Sequence, residues 1–305
     1  MSRIGKREGI SRVISICDMV PFLVDEVTCI QFLIDEGLLR NKMRCPKCYA
    51  HLRPIQHSKH RYPLFQCKSQ HDRFTEPVFT GTWFQCTELP PNQVILLIFS
   101  FLYDFSYEQT PSIATVDDSL LTQNTIRDSF NHCRELCMMS MENKYKARGK
   151  IGGPDHIVAI EVCQIGDFEE NWILGMRDLS TNEIRMAVCP GNSRDAPTLY
   201  SLFSKHVEET STIHTNAWSG YEGLMNGGFA VHLVKKGSIN LNKKGKKTKT
   251  VRWRALHYRL SREGIQKERL VSHIYEFLWR EDCIARQADP FQEFMENIRE
   301  LFPCQ

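Results

Sequence analysis

Two closely spaced cysteines, Cys45 and Cys48, are the first residues whose types and spacing suggest chemistry. Thiolates two residues apart can bind one tetrahedral zinc ion. A zinc ribbon needs a second ligand pair, and Cys67 and His71 follow after a gap that suits a hairpin. We therefore expect structural Zn²⁺ on Cys45, Cys48, Cys67 and His71. The alternative is that the second half has decayed and binds no zinc, because Gln70 stands where a second C-x-x-C would have its cysteine.

A single acid interrupts an apolar, strand-like run. Residues 156–162 are rich in β-branched side chains, as in a buried central strand, yet Glu161 stands among them. A buried carboxylate needs a partner or a task. The alternative is an edge strand on which Glu161 faces water.

A strongly basic segment, residues 235–254, contains nine lysines or arginines and no acid. Clustered cations neutralise phosphates and give a salt-dependent affinity with little sequence preference. The residues expected to contact nucleic acid here are Lys235, Lys236, Lys243, Lys244, Lys246, Lys247, Lys249 and Arg254. The alternatives are a solvated loop or a nuclear-import signal at residues 243–247.

A helix, a turn and a longer helix are predicted between residues 92 and 139. Thr122 is a suitable N-cap for the longer helix. Its apolar stripe comprises Ile126, Phe130, Cys133 and Cys137. This order is typical of a helix-turn-helix with residues 122–139 as the recognition helix, and an ordinary helical hairpin is the alternative. The side chains expected to reach bases or phosphates are Gln123, Asn124, Arg127 and Arg134.

The pattern after residue 150 changes from helices to strands. The predicted elements are strands at 156–162, 171–177 and 183–189, a helix at 196–209, strands at 212–215 and 229–234, and a helix from about 250. The short gaps between the first three strands indicate an antiparallel meander. Three antiparallel strands, helix, strand, helix, strand, helix is the order of an RNase H-like fold, which places a helix between the fourth and fifth strands. We therefore expect an α/β, RNase H-like domain with a mixed five-stranded sheet and flanking helices.

The predicted organisation has five parts. They are an N-terminal helical segment (1–42), a zinc-ribbon-like module (43–90), a helix-turn-helix domain (91–149), the RNase H-like domain (150–280) with its basic loop (235–254), and a C-terminal helix (281–305). The first part is predicted to hold one amphipathic helix over residues 20–40. Its shared face contains Leu23, Val27, Ile30 and Ile34, and Gly37 ends it. The last helix has an apolar stripe made of Phe291, Phe294, Met295, Ile298 and Leu301.

Composition narrows the class of protein. The net charge of +3 is mild, so a case for nucleic acid depends on local patches. The longest apolar run, residues 94–103, is half a membrane span and predicts a buried helix. Because the N-terminus has no apolar signal region, the twelve cysteines indicate reduced thiols or metal ligands.

Taken in order, these pieces resemble the Merlin-type DDE transposases and their bacterial insertion-sequence relatives. Besides the C-P-x-C motif, the resemblance is carried by Gly81-Thr-Trp-Phe, His132-Cys-Arg-Glu-Leu136, Ile151-Gly-Gly-Pro, Ser211-Thr-Ile-His214 and Glu276-Phe-Leu-Trp-Arg280. It implies phosphoryl transfer on DNA. In that reaction, three carboxylates hold two divalent metals that activate the nucleophile and stabilise the leaving oxygen.

The three family acids are absent at the matching positions. Glu161 stands for the first Asp, Asn216 for the second Asp, and Arg252 for the Glu, or Thr250 in an alternative register. One carboxylate offsets little of the charge on two divalent cations, so we expect no catalytic Mg²⁺ and no strand transfer. Arg252 would repel a metal or pair with Glu161. Nearby acids, namely Asp178, Glu183 and Asp195, are expected at the surface.

The resemblance therefore implies a domesticated, catalytically inactive transposase that binds DNA or chromatin in the nucleus, as a regulatory factor and not as an enzyme. Protein partners in a nuclear complex and a dimer are compatible with it, and no membrane contact is expected. One alternative is an active or residual metal-dependent nuclease. Another is a protein-interaction scaffold built on the same fold, and a decayed element copy also remains open.

Overall fold

The structure is a computed structural model of the 305-residue chain. The residues that it describes are 14–56, 62–69, 73–86, 89–116, 121–164, 171–216, 221, 228–234, 240–241, 247–248, 252–262 and 267–304. The chain divides into two compact units. Unit one contains Met1–Cys137 and Gln287–Gln305, and unit two contains Met138–Arg286.

Groups of helices and groups of strands follow one another along the described residues. The helices are α1 (Ile16–Val24), α2 (Glu26–Asp35), α3 (Pro91–Leu102), α4 (Thr110–Ala114), α5 (Gln123–Arg148), α6 (Ala196–His206), α7 (Trp253–Arg262), α8 (Leu270–Arg286) and α9 (Pro290–Leu301). The strands are β1 (Met43–Arg44), β2 (His51–Leu52), β3 (Pro54–Ile55), β4 (Leu64–Cys67), β5 (Phe74–Pro77), β6 (Ile157–Gln164), β7 (Trp172–Asp178), β8 (Ile184–Val188), β9 (Thr212–Asn216), β10 (Ala230–Val234), β11 (Asn240–Leu241) and β12 (Lys247–Thr248). Within these residues, no helix combines the length and the apolar character that a membrane crossing requires.

The N-terminal part of unit one contains two helices where one was predicted over residues 20–40, so that prediction is wrong. The break lies at Asp25, whose backbone is extended and whose carboxylate accepts hydrogen bonds from the amides of Val27 and Thr28, each at 3.0 Å. Such a cap satisfies amides that have no partner within the helix. Val27 is 68% exposed and does not share the buried face. Gly37, at φ +70°, ends α2 as predicted.

Short strands of unit one form two small antiparallel sheets. β1 pairs with β2, and β4 lies between β3 and β5. The antiparallel β3–β4 pair falls between Cys48 and Cys67, where the sequence predicts a hairpin. These strands position Cys45 directly after β1 and Cys67 at the end of β4.

The helices α3 and α5 agree with the prediction for this region, although α5 is longer than predicted. Thr122 caps α5, because its Oγ1 accepts a hydrogen bond from the amide of Thr125 at 3.1 Å. The predicted stripe is buried and comprises Ile126, Phe130, Cys133 and Cys137. The helix runs for 26 residues, since the first residue that favours a stop is Gly149 at φ +72°. It passes from unit one into unit two after Cys137.

The C-terminal helix α9 belongs to unit one. Asp289 caps it by accepting a hydrogen bond from the amide of Gln292 at 2.9 Å, and it also accepts one from the amide of Ile14 at 2.9 Å. The predicted apolar stripe is confirmed, with Leu301 half-buried and the other members buried. Those buried members are Phe291, Phe294, Met295 and Ile298.

Unit two is built on a mixed five-stranded sheet in the order β10-β9-β6-β7-β8. The strands β6, β7 and β8 form the predicted antiparallel meander. β9 runs parallel to β6, and β10 runs parallel to β9. The predicted α/β class with a mixed five-stranded sheet and flanking helices is therefore confirmed. β6 is the central strand and has a partner on each side.

The two faces of β6 have different environments. Val158 and Ile160 pack in a buried core with Leu199 and Phe203 of α6. Because side chains alternate along a strand, Glu161 lies on the opposite face. The candidate functional site of unit two lies on that face.

A buried ion cluster holds α7 against α8. Glu276 of α8 is 1% exposed, and its Oε1 accepts hydrogen bonds from Arg259 of α7 at 2.9 Å and from Arg280 at 2.8 Å. A buried carboxylate without such partners would be strongly unfavourable. The cluster fixes the position of α7 and so of Trp253 at its first residue.

Among the positive-φ glycines of the described residues, Gly152 is the one where an added Cβ would meet its neighbours most closely. At φ +95°, an added Cβ would lie 2.0 Å from the Oγ of Ser211, which accepts a hydrogen bond from the amide of Gly153 and donates one to the carbonyl of Glu208. We expect Gly152→Ala to lower the free energy of unfolding by about 2–4 kcal/mol in urea denaturation. Gly149 is also at positive φ, but a Cβ added there would meet no atom within 4 Å. Gly149→Ala should therefore lower the free energy of unfolding by only about 1–2 kcal/mol. Equal losses would contradict the steric argument.

Candidate functional site

Three cysteine sulfurs converge in unit one. The Sγ atoms of Cys45, Cys48 and Cys67 all lie within 4.8 Å of one another, and those of Cys48 and Cys67 are 3.5 Å apart. Thiols at this separation suit one soft or borderline cation. Three of the four predicted ligands therefore form a group that could hold a metal, and its donors fit zinc chemically. The fourth, His71, lies outside the described residues.

The local backbone explains this convergence. A tight turn follows Cys45, in which the amide of Tyr49 donates to the carbonyl of Cys45 at 2.9 Å and Tyr49 adopts φ +59°.

The hydroxyl and amide of Ser69 hydrogen-bond to the Cys67 sulfur and hold the pKa of that thiol below its usual value. A lowered pKa favours the thiolate that a metal requires. Burial has the opposite effect on Cys45, whose pKa is raised.

Glu161 lies in the middle of the central strand of unit two. It is in register with Gly175 of β7, and β9 flanks β6 on the other side, so the edge-strand alternative is wrong. Its side chain is half-buried, and its Oε2 accepts a hydrogen bond from Trp253 Nε1 at 2.7 Å. The indole of the first residue of α7 is thus the hydrogen-bond donor to this acid.

Arg252 does not pair with Glu161, so that expectation is wrong. Its Nη1 lies 2.9 Å from Oε1 of Glu281, and its side chain is 54% exposed. Consecutive residues at the start of a helix point about 100° apart, so one of the two faces the sheet while the other points away. Trp253 takes the sheet-facing position, since its large apolar ring gains more from burial than a guanidinium does.

Asn216 ends β9 beside the strand that carries Glu161. The parallel pairing runs from Ile157↔Thr212 to Ala159↔His214, and the same register continued by two residues brings Glu161 alongside Asn216. The backbone therefore brings two of the three positions that match the family acids to neighbouring strands. The side chain of Asn216 and the alternative third position, Thr250, lie outside what the structure describes.

Cys163, two residues after this acid on the same strand, contacts His257 of α7, and neither residue was predicted from the sequence. The Sγ of Cys163 is 3.8 Å from Nε2 of His257. Burial, and after it the charge of Glu161, raise the pKa of the Cys163 thiol. The sequence contained a signal for this contact. Cys163 is two residues after Glu161 and so shares its face of the strand, and His257 is one helical turn after Trp253.

The predicted recognition helix presents three of its four predicted contacts. Gln123, Asn124 and Arg127 are exposed at the start of α5. The prediction for Arg134 is wrong, because this residue is 1% exposed. Its guanidinium lies 5.7 Å from the ring centroid of Phe101 and donates a hydrogen bond to Asn131 at 3.0 Å. The long aliphatic part of arginine can be buried where an aromatic face and an amide oxygen satisfy its head group.

The basic segment is described only in part. Of its predicted contacts, Arg254 is exposed, and Lys247 is described through the backbone of β12. The predicted contacts outside the described residues are Lys235, Lys236, Lys243, Lys244, Lys246 and Lys249. Their role stays a prediction.

Asp178 is buried, so its expected surface position is wrong. Its Oδ2 lies 2.7 Å from Nδ1 of His156, and its Oδ1 accepts hydrogen bonds from the amides of Ser180 at 2.7 Å and Thr181 at 3.3 Å. The acid closes the β7–β8 turn, which explains its burial. Burial works to raise the pKa of Asp178, but His156 and the two amides together lower it below its usual value.

Comparison with known proteins adds little. No family model and no curated protein matches the chain. Solved structures similar to it include a chain of the cryo-EM structure of the simian T-cell lymphotropic virus intasome in complex with PP2A regulatory subunit B56 gamma. The match covers 60% of this chain and spans 64% of that chain, with 10% identity and a TM-score of 0.30. A likeness at this level indicates neither a shared fold nor a shared function.

The buried turn acid gives a pH-dependent prediction. A carboxyl whose folded pKa is below its unfolded value stabilises the protein above the unfolded pKa, and this contribution is lost as the pH falls through the folded pKa. We expect Asp178→Asn to lower the free energy of unfolding by about 1–3 kcal/mol at pH 7. The difference from the unmodified protein should shrink below about pH 4. Asp195→Asn, at an exposed helix cap, serves as the control and should cost about 1 kcal/mol or less. A deficit for Asp178→Asn that stays constant down to low pH would contradict the assignment.

Proposed function

We propose that this protein is a Merlin-type, transposase-derived protein that binds DNA or chromatin in the nucleus and does not catalyse DNA strand transfer. Its parts would be a zinc-ribbon-like module, a helix-turn-helix and an RNase H-like domain. Protein partners in a nuclear complex belong to the same proposal.

The strand arrangement supports the RNase H-like assignment. Three antiparallel strands are followed by α6, β9, β10 and α7, in the predicted sequence order. The helix predicted between the fourth and fifth strands falls on residues 217–228, most of which lie outside the described residues. The resemblance implies acids on the first strand, at the end of the fourth strand and on the last helix. In this chain the corresponding positions are Glu161 on β6, Asn216 at the end of β9, and Arg252 just before α7.

The contact between Trp253 and Glu161 is the observation that carries the proposal. A two-metal centre needs several carboxylate oxygens directed at hard cations. Here the indole N–H takes Oε2 of the single acid at 2.7 Å, so only one carboxylate oxygen is left for cations. The adjacent Arg252, at the position of the third family acid, pairs with Glu281 and supplies no carboxylate. One carboxylate, one amide and one guanidinium cannot offset the charge of two divalent cations. The arrangement therefore favours binding without strand-transfer chemistry.

Two groups of side chains support nucleic-acid binding. Gln123, Asn124 and Arg127 are exposed on the predicted recognition helix, where they can contact bases or phosphates. The basic segment supplies nine cations without an acid, and Arg254 within it is exposed. Contacts of this type give affinity that depends mostly on charge.

The cysteine cluster would have a structural role in this proposal. Short strands in a small module bury too little apolar surface to be stable without help, and a bound Zn²⁺ can supply the missing stability. Cys45, Cys48 and Cys67 would hold that zinc, with His71 proposed as the fourth ligand. The metal would orient the module and take no part in chemistry.

Salt-dependent binding tests the proposed function. We expect fluorescence anisotropy to show binding of duplex DNA at low salt, with affinity falling about 10³-fold or more between about 50 and 200 mM salt. Replacing Lys243, Lys244, Lys246 and Lys247 together by alanine should reduce the slope of log affinity against log salt by about 3–4. The control is Lys205→Ala, an exposed lysine of α6, which should leave the slope unchanged. No binding at low salt, or an unchanged slope in the fourfold variant, would reject the proposal.

A further inference from the structure

Four side chains of unit two form two neighbouring contacts between β6 and α7. Glu161 and Cys163 share a face of β6 because they are two residues apart on the strand. Trp253 and His257 share a face of α7 because they are four residues apart on the helix. The two pairs meet as Trp253 with Glu161 and His257 with Cys163.

The separation of the thiol and the imidazole matches that of two ligands of one metal ion. Zinc binds sulfur at about 2.3 Å and nitrogen at about 2.0 Å, so in a tetrahedral site the two donor atoms are about 3.5 Å apart. The observed separation of Cys163 Sγ and His257 Nε2 is 3.8 Å. An ion can therefore bind both atoms with little movement of either side chain.

Glu161 offers a third donor. Its Oε2 accepts the indole hydrogen bond, which leaves Oε1 able to bind a cation. A hydrogen bond to the other oxygen is what usually orients a carboxylate ligand, so Trp253 would have that role here. Among the described residues, only Cys45, Cys48 and Cys67 already have three donor atoms within 4.8 Å of one another. The Glu161 carboxylate must therefore rotate toward the thiol and the imidazole.

We propose that Cys163, His257 and Glu161 form a second, mononuclear metal site that binds Zn²⁺, with water as the remaining ligand. Thiolate and imidazole select zinc over magnesium, so this site differs in kind from a two-magnesium centre. It is also separate from the cysteine cluster of unit one. The inference goes beyond DNA binding and does not depend on it, since it concerns only these donor atoms.

Zinc content of the purified full chain tests the site. We expect inductively coupled plasma mass spectrometry to find about two zinc ions per chain, one in each site. Cys163→Ala and His257→Ala should each reduce this to about one, and so should Cys48→Ala, while Cys48→Ala combined with Cys163→Ala should leave about none. The matched control is Cys189→Ala, a buried thiol of the same unit, which should leave the content unchanged.

A measurement on the unmodified protein guards against variants that fail to fold. Alkylation of Cys163, followed by peptide mass spectrometry, should be at least about 10-fold slower in the zinc-loaded protein than after chelation. The exposed Cys17 should react equally in both states. A zinc content of about one that Cys48→Ala abolishes, together with zinc-independent alkylation of Cys163, would overturn the proposal. The 3.8 Å contact would then be a thiol–imidazole hydrogen bond only.

Discussion

A carboxylate on the central strand of a covered sheet must find a donor or a cation, and this requirement organises unit two. Glu161 meets it through the indole of Trp253 at 2.7 Å. That contact requires α7 to begin above the sheet, and the buried Glu276 holds α7 in place through Arg259 at 2.9 Å. The fold therefore stabilises the acid in a hydrogen-bonded state without needing a metal at both of its oxygens.

The same contact separates two kinds of chemistry. Hard divalent cations need several carboxylates, and the chain presents one on β6 beside the backbone of Asn216. A thiol and an imidazole in the same place favour a softer ion. Under the proposed function, the chain would keep the framework of an RNase H-like domain, while the side chains on its central face would favour a different metal. This view joins the proposed loss of strand transfer to the proposed zinc site of Cys163 and His257.

Local sequence patterns predicted much of the secondary structure. They could not predict which side chains distant in the sequence contact one another. An apolar run rich in β-branched residues predicted β6, and the short gaps between strands predicted its meander. The Cys45–Cys48 spacing predicted a cysteine cluster that Cys67 joins. The sequence could not show that Trp253 and not Arg252 would face Glu161, since that depends on the rotation of α7 about its axis. The prediction for Arg134 was wrong for a similar reason. Its position on α5 suggested exposure, and the sequence could not show that Phe101 of α3 packs against it.

Metal-dependent nicking of supercoiled DNA decides whether Glu161 supports a two-metal centre, which we propose it does not. The purified chain would be incubated with closed circular plasmid and Mg²⁺ or Mn²⁺, and a Glu161→Gln variant prepared in parallel would reveal contaminating nuclease. We expect the plasmid to stay closed, with no difference between the two proteins. Robust nicking that requires the metal and disappears in Glu161→Gln would contradict the proposed loss of the two-metal centre.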